Sequence, residues 1–201
     1  GVMVGTAVLT EHPSQRLVRT LYLALLPKIP FVAPLLTRLG QTLATEENAT
    51  RLLEQEELVA VYPEGAKGTG KPFRDRYKLA RFGRGGFVKT ALNTRAPIIP
   101  VSVVGSEETY VTLAKLPTLS DFTGIPYLPI TLRFPWLGLL GALPLPTNWY
   151  IDFGQPIPMD SYDMDAANSP VLVSQVSDLV RNTIQEMLYS RLAQRRSVFF
   201  G

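Results

Sequence analysis

The sequence predicts an α/β fold, a mixed and largely parallel sheet flanked by helices, on three observations. Leu58-Val59-Ala60-Val61-Tyr62 is a short unbroken apolar run, the pattern of a strand buried on both faces of a parallel sheet. Beyond a glycine-rich loop, Gly86 to Leu92 reads as a helix and Ile98 to Val104 as a second buried strand. Helix, strand, loop, helix and strand in that order is the grammar of α/β proteins. A length of 201 residues suits one domain, so a single domain over residues 1–201 is expected.

The remaining elements come in chain order. Val2 to Leu9 is a small-apolar run that fits a helix or a buried strand equally well. Arg16 to Leu26 reads as a helix, which Pro27 and Pro30 would end, and Ile29 to Leu39 as a second short apolar helix around Pro34. Gly40 is its natural stop, and Gln41 to Ala44 a short strand. Thr45 is placed to cap a helix over Glu46 to Glu54, whose acidic first turn suits the helix dipole. Trp149 to Phe153 reads as a strand. Ser177 to Gln194 reads as a closing helix, with Val176, Leu179, Val180, Ile184, Met187 and Leu188 on one stripe.

Composition narrows the chemistry. There is no cysteine, which removes disulfides, cysteine nucleophiles and thiolate metal sites. A lone histidine, His12, rules out multi-histidine metal sites. The net charge of +3 is unevenly spread. From Lys67 to Arg95 there are nine Lys or Arg and one acid, Asp75, whereas Glu46 to Glu57 holds five acids and one base. Such segregation points to a cationic surface facing an anionic ligand, a phosphate or a lipid headgroup; the plainer reading is a solvated basic face.

Tyr110 to Asn148 is unusual, with three charges and six prolines in 39 residues. Phe134 to Ile151 carries no charge over 18 residues, but Pro135, Pro144 and Pro146 argue against a spanning helix. The unbroken piece Trp136 to Leu143 would reach only about 12 Å, against a hydrocarbon core of about 30 Å. It suits the membrane interface, with Trp136, Trp149 and Tyr150 at headgroup depth; the alternative is an apolar loop folded over the core.

The informative loop is Val59 to Arg74. Gly65-x4-Gly70-Lys71 after a strand suggests a nucleotide-binding P-loop, but that motif needs Ser or Thr next and here stands Pro72. The better reading starts from Pro63-Glu64-Gly65 at a strand's carboxyl end, where open α/β sheets bind ligands. A carboxylate there orients a hydroxyl. Glycines let backbone amides approach an anion, which Lys67, Lys71, Arg74 and Arg76 would neutralise. Arg84-Gly85-Gly86, just before a helix, would present further amide donors. Together these describe a site for a polyol bearing, or lying beside, a phosphate.

Val61-Tyr62-Pro63-Glu64-Gly65 resembles the FPEG block of the glycerolipid and lysophospholipid acyltransferases, and Ala96-Pro97-Ile98-Ile99-Pro100-Val101 resembles their later PIVPV block. Pro30-Phe31 through Gly40, then Gln41 to Ala44, is similar to the region of their second block. Gly65 to Gly86 and Trp149 to Pro156 are closer to the bacterial monoacylglycerol/diacylglycerol-acyltransferase-like branch, although Ala66-Lys67-Gly68 replaces the end of its FPEGTRS block.

The resemblance implies a glycerol-3-phosphate-acyltransferase-like fold and transfer of a fatty acyl group from an acyl thioester, acyl-coenzyme A or acyl-carrier protein, to a glycerolipid or lysophospholipid hydroxyl. It implies substrate binding by Glu64, Gly65, Lys67, Lys71, Arg74 and Arg84, and no metal or redox cofactor. It also implies association with the cytoplasmic face of a membrane, through Tyr22 to Leu39 and Tyr110 to Tyr150, and no nucleic-acid partner. The family's catalytic block is His-x4-Asp, a general base with its orienting carboxylate. His12 is followed at that spacing by Leu17, so it does not fit. No secretory signal opens the chain, and Gly1-Val2-Met3-Val4 resembles the family's glycine and small-apolar run after the catalytic aspartate. The expectation is therefore a catalytic pair just upstream of Gly1, without which these residues are inactive. The rival reading is a non-catalytic lipid-binding or membrane-adaptor domain of the same fold.

Overall fold

The structure, a computed structural model, describes residues 2–22, 34, 36, 38–65, 68, 71–116, 128–163 and 165–197. It is a mixed α/β protein with a parallel sheet flanked by helices, as the sequence predicts. The chain falls into two compact units: residues 1–65, 81–100 and 155–181, and residues 66–80, 101–154 and 182–201.

The first unit holds the parallel sheet. Helix α1 (Val2–Glu11) resolves the ambiguous opening run and buries Val4 and Val8, one helical turn apart. Strand β1 (Val18–Tyr22) is flanked by β2 (Thr42–Leu43) and β3 (Leu58–Ala60), both parallel to it. The register sets Val18 beside Leu58, Thr20 beside Ala60 and Leu21 beside Thr42. This corrects the helix expected over Arg16 to Leu26. Val18 and Thr20 are buried and β-branched at a spacing of two, and strand pairing on both sides outweighs a pattern that also matched a helix. The second helix expected there lies outside the described residues except Pro34, Leu36 and Arg38, which are helical, and Leu39, which is in a turn. Gly40, at φ +71°, ends the segment.

Helix α2 (Glu46–Glu54) begins where expected: Thr45 Oγ1 accepts the Asn48 N–H at 3.2 Å. Asn48 Nδ2 in turn donates to the Leu43 carbonyl at 3.1 Å, fastening the helix start to the end of β2. Strand β3 lies at the edge of the three-stranded sheet and is half-buried throughout, with Val61 and Tyr62 exposed beyond it. The five-residue strand buried on both faces is thereby corrected to three residues. Among the described residues β3 pairs only with β1, and an apolar run does not show where such pairing stops.

Helix α3 (Gly86–Thr94) supplies Val88, Ala91 and Leu92 to the core of this unit. They pack with Met159, Ala166, Ala167, Val173 and Val176; a valine, leucine or methionine side chain is worth roughly 1.5–3 kcal/mol when fully buried. A reciprocal hydrogen-bonded bridge joins Ile98 to Ile157.

The second unit contains β4 (Val101–Val104) paired antiparallel with β7 (Tyr150–Phe153). Helix α4 (Ser106–Thr109) is a single turn, followed by β5 (Thr112–Leu116) and its antiparallel partner β6 (Leu128–Thr131). A 3-10 helix spans Gly138–Ala142. Helix α5 (Pro170–Gln194) starts earlier than the sequence suggests and supplies its later residues to this unit. The buried stripe is confirmed at Val176, Val180 and Leu188, but Leu179 is exposed and leaves it.

Tyr77 is the hub of the second unit's core, packed with Val104 and Leu188 and flanked by Leu79, Tyr150 and Ile184. Its φ of +62° is costly for a bulky residue. Both of its main-chain groups are held by side chains: Glu107 Oε2 accepts its N–H at 2.6 Å, and Gln185 Nε2 donates to its carbonyl at 2.7 Å. Its hydroxyl accepts the Gly105 N–H at 3.1 Å. Burial pushes the phenol up from its ordinary 10 to about 12; the Gly105 N–H opposes this, and the Glu108 carboxylate beside it adds to the rise.

A raised folded-state value means that the neutral phenol stabilises the fold fully below pH 10, and that this is lost as the pH climbs from 10 to about 12. Urea denaturation should therefore show the stability advantage of wild type over Tyr77→Phe shrinking across that window, by roughly 2 kcal/mol at most. A pH-independent difference would remove the linkage.

Candidate active site

The candidate site begins where β3 ends. The Tyr62 carbonyl accepts the Gly65 N–H at 3.0 Å, closing a tight turn over Pro63 and Glu64. Gly65 sits at φ +57°, a left-handed conformation that favours glycine, and among the described residues nothing lies within 4 Å of where its Cβ would be. Glu64 is thus carried half-buried, four residues beyond the end of the strand.

A second turn is pinned to the first. The Gly83 N–H donates to the Pro63 carbonyl at 3.0 Å, which sets Gly83-Arg84-Gly85 against Pro63-Glu64-Gly65. Gly85, at φ +73°, precedes α3, and a Cβ there would collide with Val173 Cγ1. Its carbonyl accepts the N–H groups of Val88 and Lys89, both at 3.0 Å. The helix therefore starts beside the Glu64 turn, with the positive end of its dipole at Gly85 and Gly86. Arg84 is exposed at that start. Of the residues expected in the site, Glu64, Gly65 and Arg84 are brought together here.

The basic loop belongs to the second unit. Lys67 lies outside the described residues. Lys71 does not extend into solvent: its ammonium meets Glu107 Oε1 at 2.9 Å and donates to the Lys78 carbonyl at 2.8 Å. Glu107 therefore binds Lys71 with one oxygen and the Tyr77 N–H with the other, and closes the loop on itself. Arg74 is 85% exposed, 3.6 Å from Asp75. Arg76 lies over the Phe73 ring at 4.3 Å. After Lys71 the chain makes only a 3-10 turn, Phe73–Asp75, where a P-loop would continue into a helix.

His12 comes after α1 in an exposed turn, its Nδ1 accepting the Ser14 N–H at 3.1 Å. It is a loop histidine, with no carboxylate among its hydrogen-bond partners in the described residues.

The family model for Acyltransferase matches residues 3–104, which include the whole parallel sheet, the Glu64 turn, α3 and β4. The chain belongs to the Acyltransferase family. The resemblance carried by the Pro63-Glu64-Gly65 and Pro97-to-Val101 blocks is thereby borne out. Among curated proteins, the chain is 48% identical over all 201 residues to an uncharacterized protein of Mycobacterium leprae, and 47% identical to one of Mycobacterium tuberculosis. It spans 55% and 56% of those relatives, little more than half of their length. Among solved structures, it is similar to the 1-acyl-sn-glycerophosphate acyltransferase PlsC from Thermotoga maritima, at a TM-score of 0.52 and 17% identity. That match covers 89% of this chain and 58% of the other. At such low identity the likeness is one of fold.

Glu107, Glu108 and Tyr77 were not singled out by the sequence. The signal for them was two adjacent acids, Glu107-Glu108, shortly after an apolar strand and a glycine. In this acyltransferase-family chain Glu107 acts as a brace, so its removal should matter more than that of a surface cation. Glu107→Ala is expected to lower stability to denaturant by about 2 kcal/mol, because Lys71 and the Tyr77 N–H both lose their acceptor. Arg74→Ala should change it by less than about 0.5 kcal/mol. Equal effects would mean that the loop is not braced through Glu107.

Proposed function

We propose that the intact protein transfers a fatty acyl group from an acyl thioester, acyl-coenzyme A or acyl-carrier protein, to a hydroxyl of a glycerolipid or lysophospholipid. The observation that supports it most is Glu64 on the tight turn after β3, locked to the start of α3 through Gly83 and Pro63, within a chain of the Acyltransferase family. Glu64 accepts a hydrogen bond from the acceptor and orients its glycerol. Arg84 and the first amides of α3 attract the acceptor's phosphate. Lys67 and Arg74 add positive charge that draws anionic substrates, and Lys71 holds the loop through Glu107.

In the reaction, the acceptor oxygen attacks the thioester carbonyl, the C–O bond forms, the C–S bond breaks and the thiol departs. The hydroxyl proton passes to a base and then to the leaving sulfur. His12 is not placed as that base, so the role falls to a His-x4-Asp pair that the intact protein supplies outside these 201 residues. No metal or redox cofactor enters this scheme.

Thiol release from palmitoyl-coenzyme A, measured with a panel of glycerolipid acceptors on the full-length protein, tests the reading. Turnover is expected with at least one acceptor, and Glu64→Ala should lower it by at least about tenfold while the melting temperature holds, the scale of a lost orienting contact. Undiminished turnover in Glu64→Ala would remove its role. Silence from a folded full-length protein with both donor types would favour the lipid-binding alternative.

A membrane surface is the proposed site of action, at the cytoplasmic face where thioester donors are available. Among the described residues no helix is long and apolar enough to cross a membrane. The second unit instead exposes Trp136 (75%), Leu137, Leu140 and Leu143 on and beside its 3-10 helix, with Leu132 close in sequence. Exposed apolar side chains in one short segment, led by a tryptophan, suit shallow burial among headgroups. The other segment expected at the membrane, Tyr22 to Leu39, lies mostly outside the described residues. Flotation with phosphatidylglycerol-containing liposomes should fall at least about tenfold when Trp136, Leu137, Leu140 and Leu143 are all replaced by serine. Unchanged flotation would exclude this segment as the docking surface.

A further inference from the structure

The second unit contains a cavity of about 410 Å³ at the carboxyl end of α5, separate in sequence from the Glu64 turn. Arg76, Tyr77, Glu108, Leu192, Arg195 and Arg196 line it. Its three guanidinium groups are not equivalent. Arg195 and Glu108 form an ion pair at 2.6 Å, with side chains only 4% and 7% exposed. Arg195 also donates to the Tyr77 hydroxyl at 3.2 Å and to the Asn148 carbonyl at 3.3 Å, so it is fixed in the wall.

Glu108 thus cancels one positive charge of three. Arg76 and Arg196 are both exposed, and among the described residues neither pairs with a carboxylate. The neighbouring acids are already engaged: Asp75 lies beside Arg74, and Glu107 binds Lys71 and the Tyr77 N–H. The carboxyl end of a helix would normally oppose an anion. Here the Arg195 N–H satisfies the carbonyls of Arg191 and Leu192, and side-chain cations face the cavity.

We propose that this cavity binds a phosphomonoester, with Arg76 and Arg196 as its direct contacts and the buried Arg195–Glu108 pair as their rigid floor. A surplus of two positive charges matches the charge of about −2 on a phosphomonoester at neutral pH. Planar guanidinium forks match its oxygens in pairs, and Leu192 offers an apolar wall to the ester's organic part. The same chemistry is carried by a lipid headgroup and by a soluble phosphate ester such as coenzyme A, which bears a 3′-phosphate. The inference does not rest on acyl transfer, because it is read by binding and not by turnover.

The test is calorimetric titration of the full-length protein and of an Arg76→Gln/Arg196→Gln double variant. Both side chains are exposed, so the variant is expected to keep its melting temperature. With inorganic phosphate as probe, wild type should bind at millimolar concentration or below, weakening with salt, and the double variant should lose about tenfold or more in affinity. Preference for coenzyme A over its 3′-dephospho form, lost in the variant, would assign a soluble ester. Capture by phosphatidate vesicles over phosphatidylcholine vesicles, likewise lost, would assign a lipid headgroup. Equal phosphate affinity in the two proteins, or none in wild type, overturns the proposal.

Discussion

Parallel pairing of β1 with both β2 and β3 is the constraint on which the first unit depends. A parallel pair cannot be closed by a tight turn, so the chain must travel between strands and return in the same direction. Between β2 and β3 that return is α2, capped by Thr45 and fastened through Asn48 to Leu43. With the register set by Val18 beside Leu58 and Thr20 beside Ala60, the carboxyl ends of the strands emerge on one side of the sheet. Glu64 lies at that end because the turn over Pro63 comes directly after β3. The bond from Gly83 to Pro63 then brings the start of α3 to the same place.

The second unit rests on a different device, an arrangement of charged side chains around one strained residue. Tyr77 adopts a left-handed backbone that Glu107 and Gln185 hold from both sides, while its ring fills the core and its hydroxyl meets Gly105 and Arg195. Left-handed backbone in a non-glycine residue is tolerated when surrounding contacts over-determine it. The consequence is a division of labour among the cations of the basic segment. Lys71 is structural, Arg74 is solvated, and Arg76 rests on an aromatic ring beside a cavity. A count of charges from Lys67 to Arg95 treats them all alike.

That contrast explains what was legible in the sequence. Thr45, β2, α3 and β7 were readable because their signals are local: a cap, a stop glycine, a short apolar run. Arg16 to Leu26 was misread because its leucines fit a helical period as well as a strand, and the deciding contacts come from β3, about forty residues away in sequence. β3 was over-extended because an apolar run does not reveal that, among the described residues, the strand pairs only with β1. Of the candidate site, the turn at Pro63-Glu64-Gly65 and the helix start after Arg84-Gly85 were legible as local signals, and the bond from Gly83 to Pro63 that joins them was not. The clamp on Lys71 was not, since Glu107 acts across 36 residues, and the Arg195–Glu108 pair spans 87. Long-range ion pairs leave no periodic trace.

The two glycines that frame the Glu64 turn serve different ends. Gly85 is required twice over, by its left-handed backbone and by Val173, whose methyl occupies the space of a Cβ. It packs the start of α3 against the core and gives the turn a rigid wall. Among the described residues Gly65 is required by conformation alone, since none of them occupies the space of its Cβ. The turn is therefore firm on the side where α3 begins and, among the described residues, uncrowded at Gly65, next to Glu64 in the chain. Rigid backing suits the role proposed for Glu64, because a group held in place loses little freedom when a ligand arrives. A side chain at Gly85 would push α3 off the core, whereas one at Gly65 would strain only the turn that carries Glu64.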